Sequence, residues 1–258
     1  MKIKKKLEFF YILYNYHLFA YMKKIRYLNF LRNNVYNVMQ NIIQKIINII
    51  FPIHCISCNK EDTLLCYKCL KKIHTRLNNS QLSSKLEAYS AYGYKIPLIK
   101  KLIIRAKYNN TPKIFESLTL HAIPTLSPIF SLYKNKKIIL IPVPLHIIRK
   151  QKRGFNQSKI IANTLADTFE NTEVIDLVLR TKNTPQQAKL NKAKRIKNTK
   201  NSFEINKTHL NHPLNIYKYI IIDDVISTGS TILEIEKLLI QKLNISKKDI
   251  LAVSLCRG

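Results

Sequence analysis

A chain of 258 residues, 46% of them hydrophobic, can bury the core of one large domain, or of one domain with a small module, and this excludes global disorder. Its 44 Lys and Arg against 15 Asp and Glu give a net charge of +29, a balance suited to nucleic acid, a phosphorylated ligand or an acidic membrane surface. Total charge is weak evidence by itself, because Lys, Asn and Ile crowd the whole chain and Trp is absent, as happens when an AT-rich genome biases its codons.

The N-terminus begins with Lys2–Lys6, then an aromatic and apolar run over Leu7–Tyr21 that superficially suggests a secretory leader. Asn15 and His17 interrupt it and no small-residue cleavage site follows, so no leader is assigned. No run reaches the roughly 18 apolar residues a membrane span needs, and the protein reads as cytoplasmic. Met22 is an alternative start. Residues 1–50 form a basic and aromatic extension, within which Val35, Val38, Met39, Ile42, Ile46 and Ile50 predict an amphipathic helix over 35–51. Its polar face is rich in Asn and Gln, so it suits packing on protein better than on a membrane.

Residues 52–75 hold Cys55-x-x-Cys58 and, after seven residues, Cys66-x-x-Cys69. Two such knuckles bring four thiolates within tetrahedral reach of one Zn²⁺, and metal ligation would supply the folding energy of so short a loop. Unligated thiols or a redox pair is the bland alternative. The odd total of five cysteines argues against a disulfide framework and for a reducing compartment. Cys256, at the end of an apolar strand, suits a core position.

Residues 76–88 look like a polar linker, and 76–258 like the main domain. The pattern predicts strand Ala88–Tyr94, helices Ile96–Tyr108 and Lys113–Ala122, strand Ile138–Val143 and helix Asn156–Phe169. Next come strand Val174–Leu179, a basic loop Lys182–Thr199, strand Lys218–Ile222, helix Ser230–Leu243 and strand Ile250–Leu255. Strands alternating with helices imply an α/β fold, a mostly parallel sheet covered by helices on both faces.

The most informative stretch is Tyr219–Thr231, a buried strand running into Asp223 and Asp224, then Ser227-Thr228-Gly229-Ser230-Thr231 at a helix start. Backbone N–H groups, hydroxyls and the helix dipole there suit phosphate oxygens, while the two carboxylates would accept hydrogen bonds from sugar hydroxyls. A sugar 5-phosphate fits both halves; an ordinary capped strand-to-helix loop is the alternative. Only four glycines occur, where about 7% usage would give roughly eighteen, so Gly229 and Gly154 stand out. A second strand-to-helix passage contains Pro144, Leu145 and His146, a stretch with Arg149, Lys150 and Lys152, and then Arg153, Gly154, Asn156 and Gln157. It reads as a site for an anion such as pyrophosphate, or simply as a basic surface loop.

The acidic pair with its hydroxyl and glycine turn resembles the ribose-phosphate signature of type I phosphoribosyltransferases. Added to Pro142-Val-Pro-Leu-His146, Arg153-Gly-Phe-Asn-Gln157 and the cysteine knuckles, it resembles the ComF family (competence protein F and ComFC-like proteins) over roughly residues 51–258. Lys107-Tyr108 and the Gln, Leu, Arg, Asn and Phe of 180–203 fit as well. Ser227 stands where Thr is usual, and the first 50 residues exceed the usual N-terminus. The resemblance implies a zinc-ribbon module ahead of a phosphoribosyltransferase-like domain that binds phosphoribosyl pyrophosphate with Mg²⁺. Asp223 and Asp224 would meet the ribose, and Ser227–Thr231 the 5-phosphate. It also implies a role in natural transformation, bringing single-stranded DNA into the cytoplasm alongside other competence proteins. An active phosphoribosyltransferase acting on an unidentified amine or nucleobase is the alternative, although no general base or nucleobase hood is evident. Lys192, Lys194, Arg195 and Lys197 are candidate DNA contacts, against the reading of a merely solvated basic loop.

Overall fold

The computed structural model describes residues 53–82, 86–182, 201–209 and 217–258. The helix expected over 35–51 and most of the basic loop expected over 182–199 lie outside them. Two compact units are distinguished, Met1–Cys55 with Lys60–Thr63, and Ile56–Asn59 with Leu64–Gly258. In the first, His54 and Glu61 form an antiparallel bridge, and the Cys55 amide donates to the Lys60 carbonyl at 2.7 Å.

The second unit is built on a six-stranded sheet. Its strands are β1 (Asn78–Gln81), β2 (Glu87–Gly93), β3 (Lys137–Pro142), β4 (Thr172–Val174), β7 (Tyr217–Ile226) and β8 (Ile250–Arg257), in the order β1-β2-β8-β7-β3-β4. All neighbours are parallel except β1 with β2. A separate antiparallel pair joins β5 (Val178–Arg180) to β6 (Phe203–Ile205). Period-2 alternation in the central strands divides the core. Ile220 and Ile222 face one side with Ile138, Leu140 and Val253, while Tyr219 and Ile221 face the other with Ile139, Ile141 and Ala252. Helices α2 (Pro97–Tyr108), α3 (Lys113–Ser131) and α5 (Gln157–Ala166) cover the first face, and α6 (Ser230–Leu243) the second. This double coverage explains why β3 and β7 read as continuous apolar runs. The short helix α1 (Tyr67–Lys71) also belongs to this unit, where Ile56, Leu64, Leu65 and Leu70 pack on the first core.

Four expectations need correction. Residues 78–81 are a strand, not linker: β1 pairs with β2 through backbone bonds, with Ser80 Oγ donating to the Ala88 carbonyl. A polar edge strand carries no apolar alternation to reveal it. The run Val174–Leu179 is two strands, because Ile175 still donates to the Leu140 carbonyl beside the main sheet while Val178–Arg180 pairs with β6. Helix α3 continues past Ala122 through Pro124 and Pro128 to Ser131. The carbonyl of Pro124, which loses its helical donor at Pro128, accepts from Ser127 Oγ at 3.2 Å instead. The basic stretch after Leu145 is not loop but helix α4 (Ile147–Arg153), closed by the left-handed Gly154.

Among the described residues no helix is long and apolar enough to cross a membrane. Gly229, with φ 76°, precedes α6, and a Cβ there would come within 2.8 Å of the Leu82 side chain, whereas one at Gly93 would meet nothing nearer than 3.8 Å. Gly229→Ala is therefore expected to lower unfolding stability in urea by about 1–3 kcal/mol, and Gly93→Ala to leave it within about 0.5 kcal/mol.

Candidate functional site

Two sites emerge from the described residues. At the first, Cys55, Cys58, Cys66 and Cys69 place their Sγ atoms all within 4.8 Å of one another. Cys58 and Cys66 sulfurs are 3.5 Å apart. The chain achieves this with left-handed Asn59 and Asp62, and with α1 starting directly after Cys66, so that the Cys69 amide returns to the Cys66 carbonyl at 3.0 Å. Four thiolates at 2.3 Å from a tetrahedral ion would be about 3.8 Å apart. The cluster fits a structural metal ion of the zinc type, and three of its four cysteines are buried.

The second site lies at the C-terminal ends of β7 and β3. From β3 the chain crosses to β4 on one side, and from β7 to β8 on the other. The strand order therefore reverses between them, where open α/β sheets form ligand crevices. A cavity of about 210 Å³ opens there, lined by the end of α2, the Val143–Leu145 segment, α4, Gln157, Arg180 and the whole run Asp223–Ile232. Asp223, Asp224 and the turn Ser227–Thr231 thus share one wall. The turn is pinned from behind, since Arg257 donates to the Ile226 and Ser227 carbonyls and the Gly258 amide donates to Ile226 as well. Thr228 Oγ1 accepts from the Ser230 amide at 3.4 Å, and the first helical bond runs from Leu233 to Gly229 at 2.9 Å.

Asp224 continues the Ile220 and Ile222 face, which turns its carboxylate toward α2 and α5. There Lys107 Nζ meets Oδ2 at 2.5 Å, with side-chain exposures of 22% and 5%, and Gln157 Nε2 donates to Oδ1 at 3.3 Å. Arg153 in turn donates to Gln157 Oε1 at 2.6 Å, so a cation of α4 reaches Asp224 through a neutral amide. Asp223 accepts at Oδ1 from Ser158 Oγ and from the Asp224 amide. Burial and the neighbouring Asp224 push the Asp223 carboxyl up to about 7. Burial opposes the charge of Lys107, but Asp224 and then Asp223 outweigh it and raise its pKa. Burial and Arg149 push Arg180 down to about 10, as expected where several cations face one small space.

Of the anion-loop residues, Pro144, Leu145, Arg153 and Gln157 line this cavity, while His146, Gly154 and Asn156 do not. Those three shape the loop instead: His146 Nδ1 caps α4, Gly154 ends it, and Asn156 caps α5 while donating to the Val143 carbonyl. Lys107 and Arg180 also line this cavity, and no local sequence pattern places either cation there. The candidate DNA contacts Lys192, Lys194, Arg195 and Lys197 lie outside the described residues.

The raised Asp223 pKa has a definite sign. In an unfolded chain this carboxyl ionises near 4, so between about 4 and about 7 the folded state binds the extra proton. Its contribution to stability is complete below about 4 and is lost as the pH rises through about 7. Urea unfolding of Asp223→Asn beside the wild type is expected to move in favour of the variant as the pH rises across that window.

No family model matches the chain. It is 35% identical over 108 residues to competence protein F of Haemophilus influenzae, covering 42% of this chain and 46% of that protein. It is 35% identical over 102 residues to the DNA utilization protein YhgH of Escherichia coli K12, covering 40% and 43%, and 29% identical over 173 residues to competence protein ComFC of Bacillus subtilis, covering 65% and 63%. The matched segment thus spans less than half the length of the first two relatives. Similarity to proteins of these three names supports a relationship to the ComF family.

Proposed function

We propose that this chain is a ComF-type competence and DNA-utilization protein of the cytoplasm, whose cavity between β3 and β7 binds phosphoribosyl pyrophosphate with Mg²⁺ and which also binds single-stranded DNA. The observation that carries the reading is the union, in one crevice, of an acidic pair, a hydroxyl and glycine turn at the start of α6, and the cations Lys107, Arg149, Arg153 and Arg180. A sugar bearing phosphate at one end and diphosphate at the other needs acceptors for its hydroxyls and two separate anion sites. In this reading Ser227–Thr231 take the 5-phosphate and Asp223 takes ribose hydroxyls beside the paired Asp224. Arg149, Arg153 and Arg180 face the diphosphate. Mg²⁺ would enter on the diphosphate and neutralise it, because both oxygens of Asp224 are already engaged.

The remaining assignments complete the proposal. Residues 52–75 act as a structural zinc module on Cys55, Cys58, Cys66 and Cys69, ahead of a phosphoribosyltransferase-like domain in 76–258. DNA contacts fall on Lys192, Lys194, Arg195 and Lys197, where closely spaced cations suit a single-stranded backbone.

Two titrations on one preparation test the function. Calorimetry with phosphoribosyl pyrophosphate and Mg²⁺ is expected to show binding that Asp223→Ala weakens by about 5- to 150-fold, from the roughly 1–3 kcal/mol of charged hydrogen bonds. Absence of binding to the wild type sinks the assignment. A labelled oligonucleotide should lose affinity with salt at a log–log slope near −0.7 per phosphate neutralised, and the variant lacking the four cations should have a flatter slope. Metal analysis should find one zinc per chain, lost on replacing Cys66 by Ser together with much of the stability of the segment around it.

A further inference from the structure

Two adjacent carboxylates beside a phosphate turn would ordinarily invite a divalent cation, but the second carboxylate is already answered from within the protein. Lys107 occupies the last turn of α2, a helix anchored by Ile99, Leu102, Ile103 and Ala106, all with no exposed surface. The ammonium is therefore delivered by a rigid element rather than a loop. It stands 2.5 Å from Asp224 Oδ2 while Gln157 donates to Oδ1, so a positive charge already faces this carboxylate. Asp223 accepts two further bonds at Oδ1. Mg²⁺ is commonly held by one or two carboxylates with several waters retained, and here the Lys107 ammonium competes by charge for that position.

We infer that Lys107 is the built-in cation of this site: its ammonium stands on the acidic pair where a divalent ion would otherwise bind, so a sugar phosphate is received there without a metal ion on the protein's carboxylates. The nature of the ligand rests on the phosphoribosyl reading above; the charge arrangement does not. The lysine lines the cavity and its side chain retains 22% exposure, so it faces the ligand's space as well as its partner. A fixed positive charge at that point offsets the repulsion two carboxylates would exert on an entering phosphate. Any Mg²⁺ then travels with a diphosphate and stays off the strand end.

Two arms distinguish this role from the phosphoribosyl reading. In the first, full-length protein is titrated with Mn²⁺ alone and free ion is followed by electron paramagnetic resonance. Wild type and Lys107→Arg are expected to show no uptake that depends on Asp224. Lys107→Met is expected to bind Mn²⁺ at least about tenfold more tightly than wild type, and Lys107→Met with Asp224→Asn to lose that gain. In the second, ribose 5-phosphate, which carries no diphosphate, is titrated in EDTA and in MgCl₂. Wild type should bind equally in both, while Lys107→Met should weaken about tenfold in EDTA and recover in MgCl₂. Wild-type Mn²⁺ uptake abolished by Asp224→Asn, or a Lys107→Met protein that behaves as wild type in both arms, overturns the inference. Should Lys107→Met fail to fold, the wild type compared with Asp224→Asn and Lys107→Arg still decides it. Failure of ribose 5-phosphate to bind wild type in MgCl₂ overturns the phosphoribosyl reading, and the Mn²⁺ arm still decides the role of Lys107.

Discussion

Two carboxylates at the end of a buried strand must be neutralised, and much of the site follows from how this chain does so. β7 runs through both cores with its first six residues buried, and it emerges at Asp223 and Asp224 before enough water is available to solvate two charges. Leaving both ionised and unpaired would cost several kcal/mol. The fold answers with Lys107 and Gln157 for Asp224, and with Ser158 and a backbone amide for Asp223, whose carboxyl is nevertheless raised to about 7. The ends of α2 and α5 are therefore tied to the acidic pair as well as packed on the sheet.

That compensation also sets the character of the cavity. Near neutral pH the acidic pair and Lys107 come close to cancelling, which leaves Arg149, Arg153 and Arg180 to define the remaining field. Clustered cations in a partly desolvated space favour a multiply charged anion; burial, and then a neighbouring arginine, lowers the pKa values of Arg149 and Arg180. The turn before α6 supplies a second, differently built anion site from hydroxyls and backbone amides. A cavity that is neutral at the strand end, with hydroxyl-rich and guanidinium-rich flanks, discriminates by the spacing of charges along a ligand and less by its total charge.

The cysteine cluster follows a different economy. Its short loop turns at left-handed Asn59 and Asp62, and the apolar residues Ile56, Leu64, Leu65 and Leu70 rest on the core that also buries α2 and α3. Lys101 of α2 donates to the Ile56 carbonyl at 3.1 Å. The helix that delivers Lys107 to the cavity is thus linked near its middle to the segment carrying the cysteines.

Local pattern alone determined the α/β alternation, the buried strand that carries Asp223 and Asp224, the glycine turn before α6 and the four-cysteine spacing. Each of these is written within a dozen or so residues, in side-chain period or in fixed offsets between residues of special chemistry. β1 escaped because a polar edge strand is defined by backbone bonds to β2. The extension of α3 escaped because Pro124 and Pro128 signal a break that Ser127 and exposure to solvent relieve. Only the tertiary structure could bring Lys107, Arg180 and Gln157 together with Asp224, since they come from elements far apart in the chain. It also withdrew His146, Gly154 and Asn156 from the cavity and made them helix caps. The reason is general: composition and period report what a segment buries, whereas the partner of a charge depends on which strand ends and helix ends the sheet order makes neighbours.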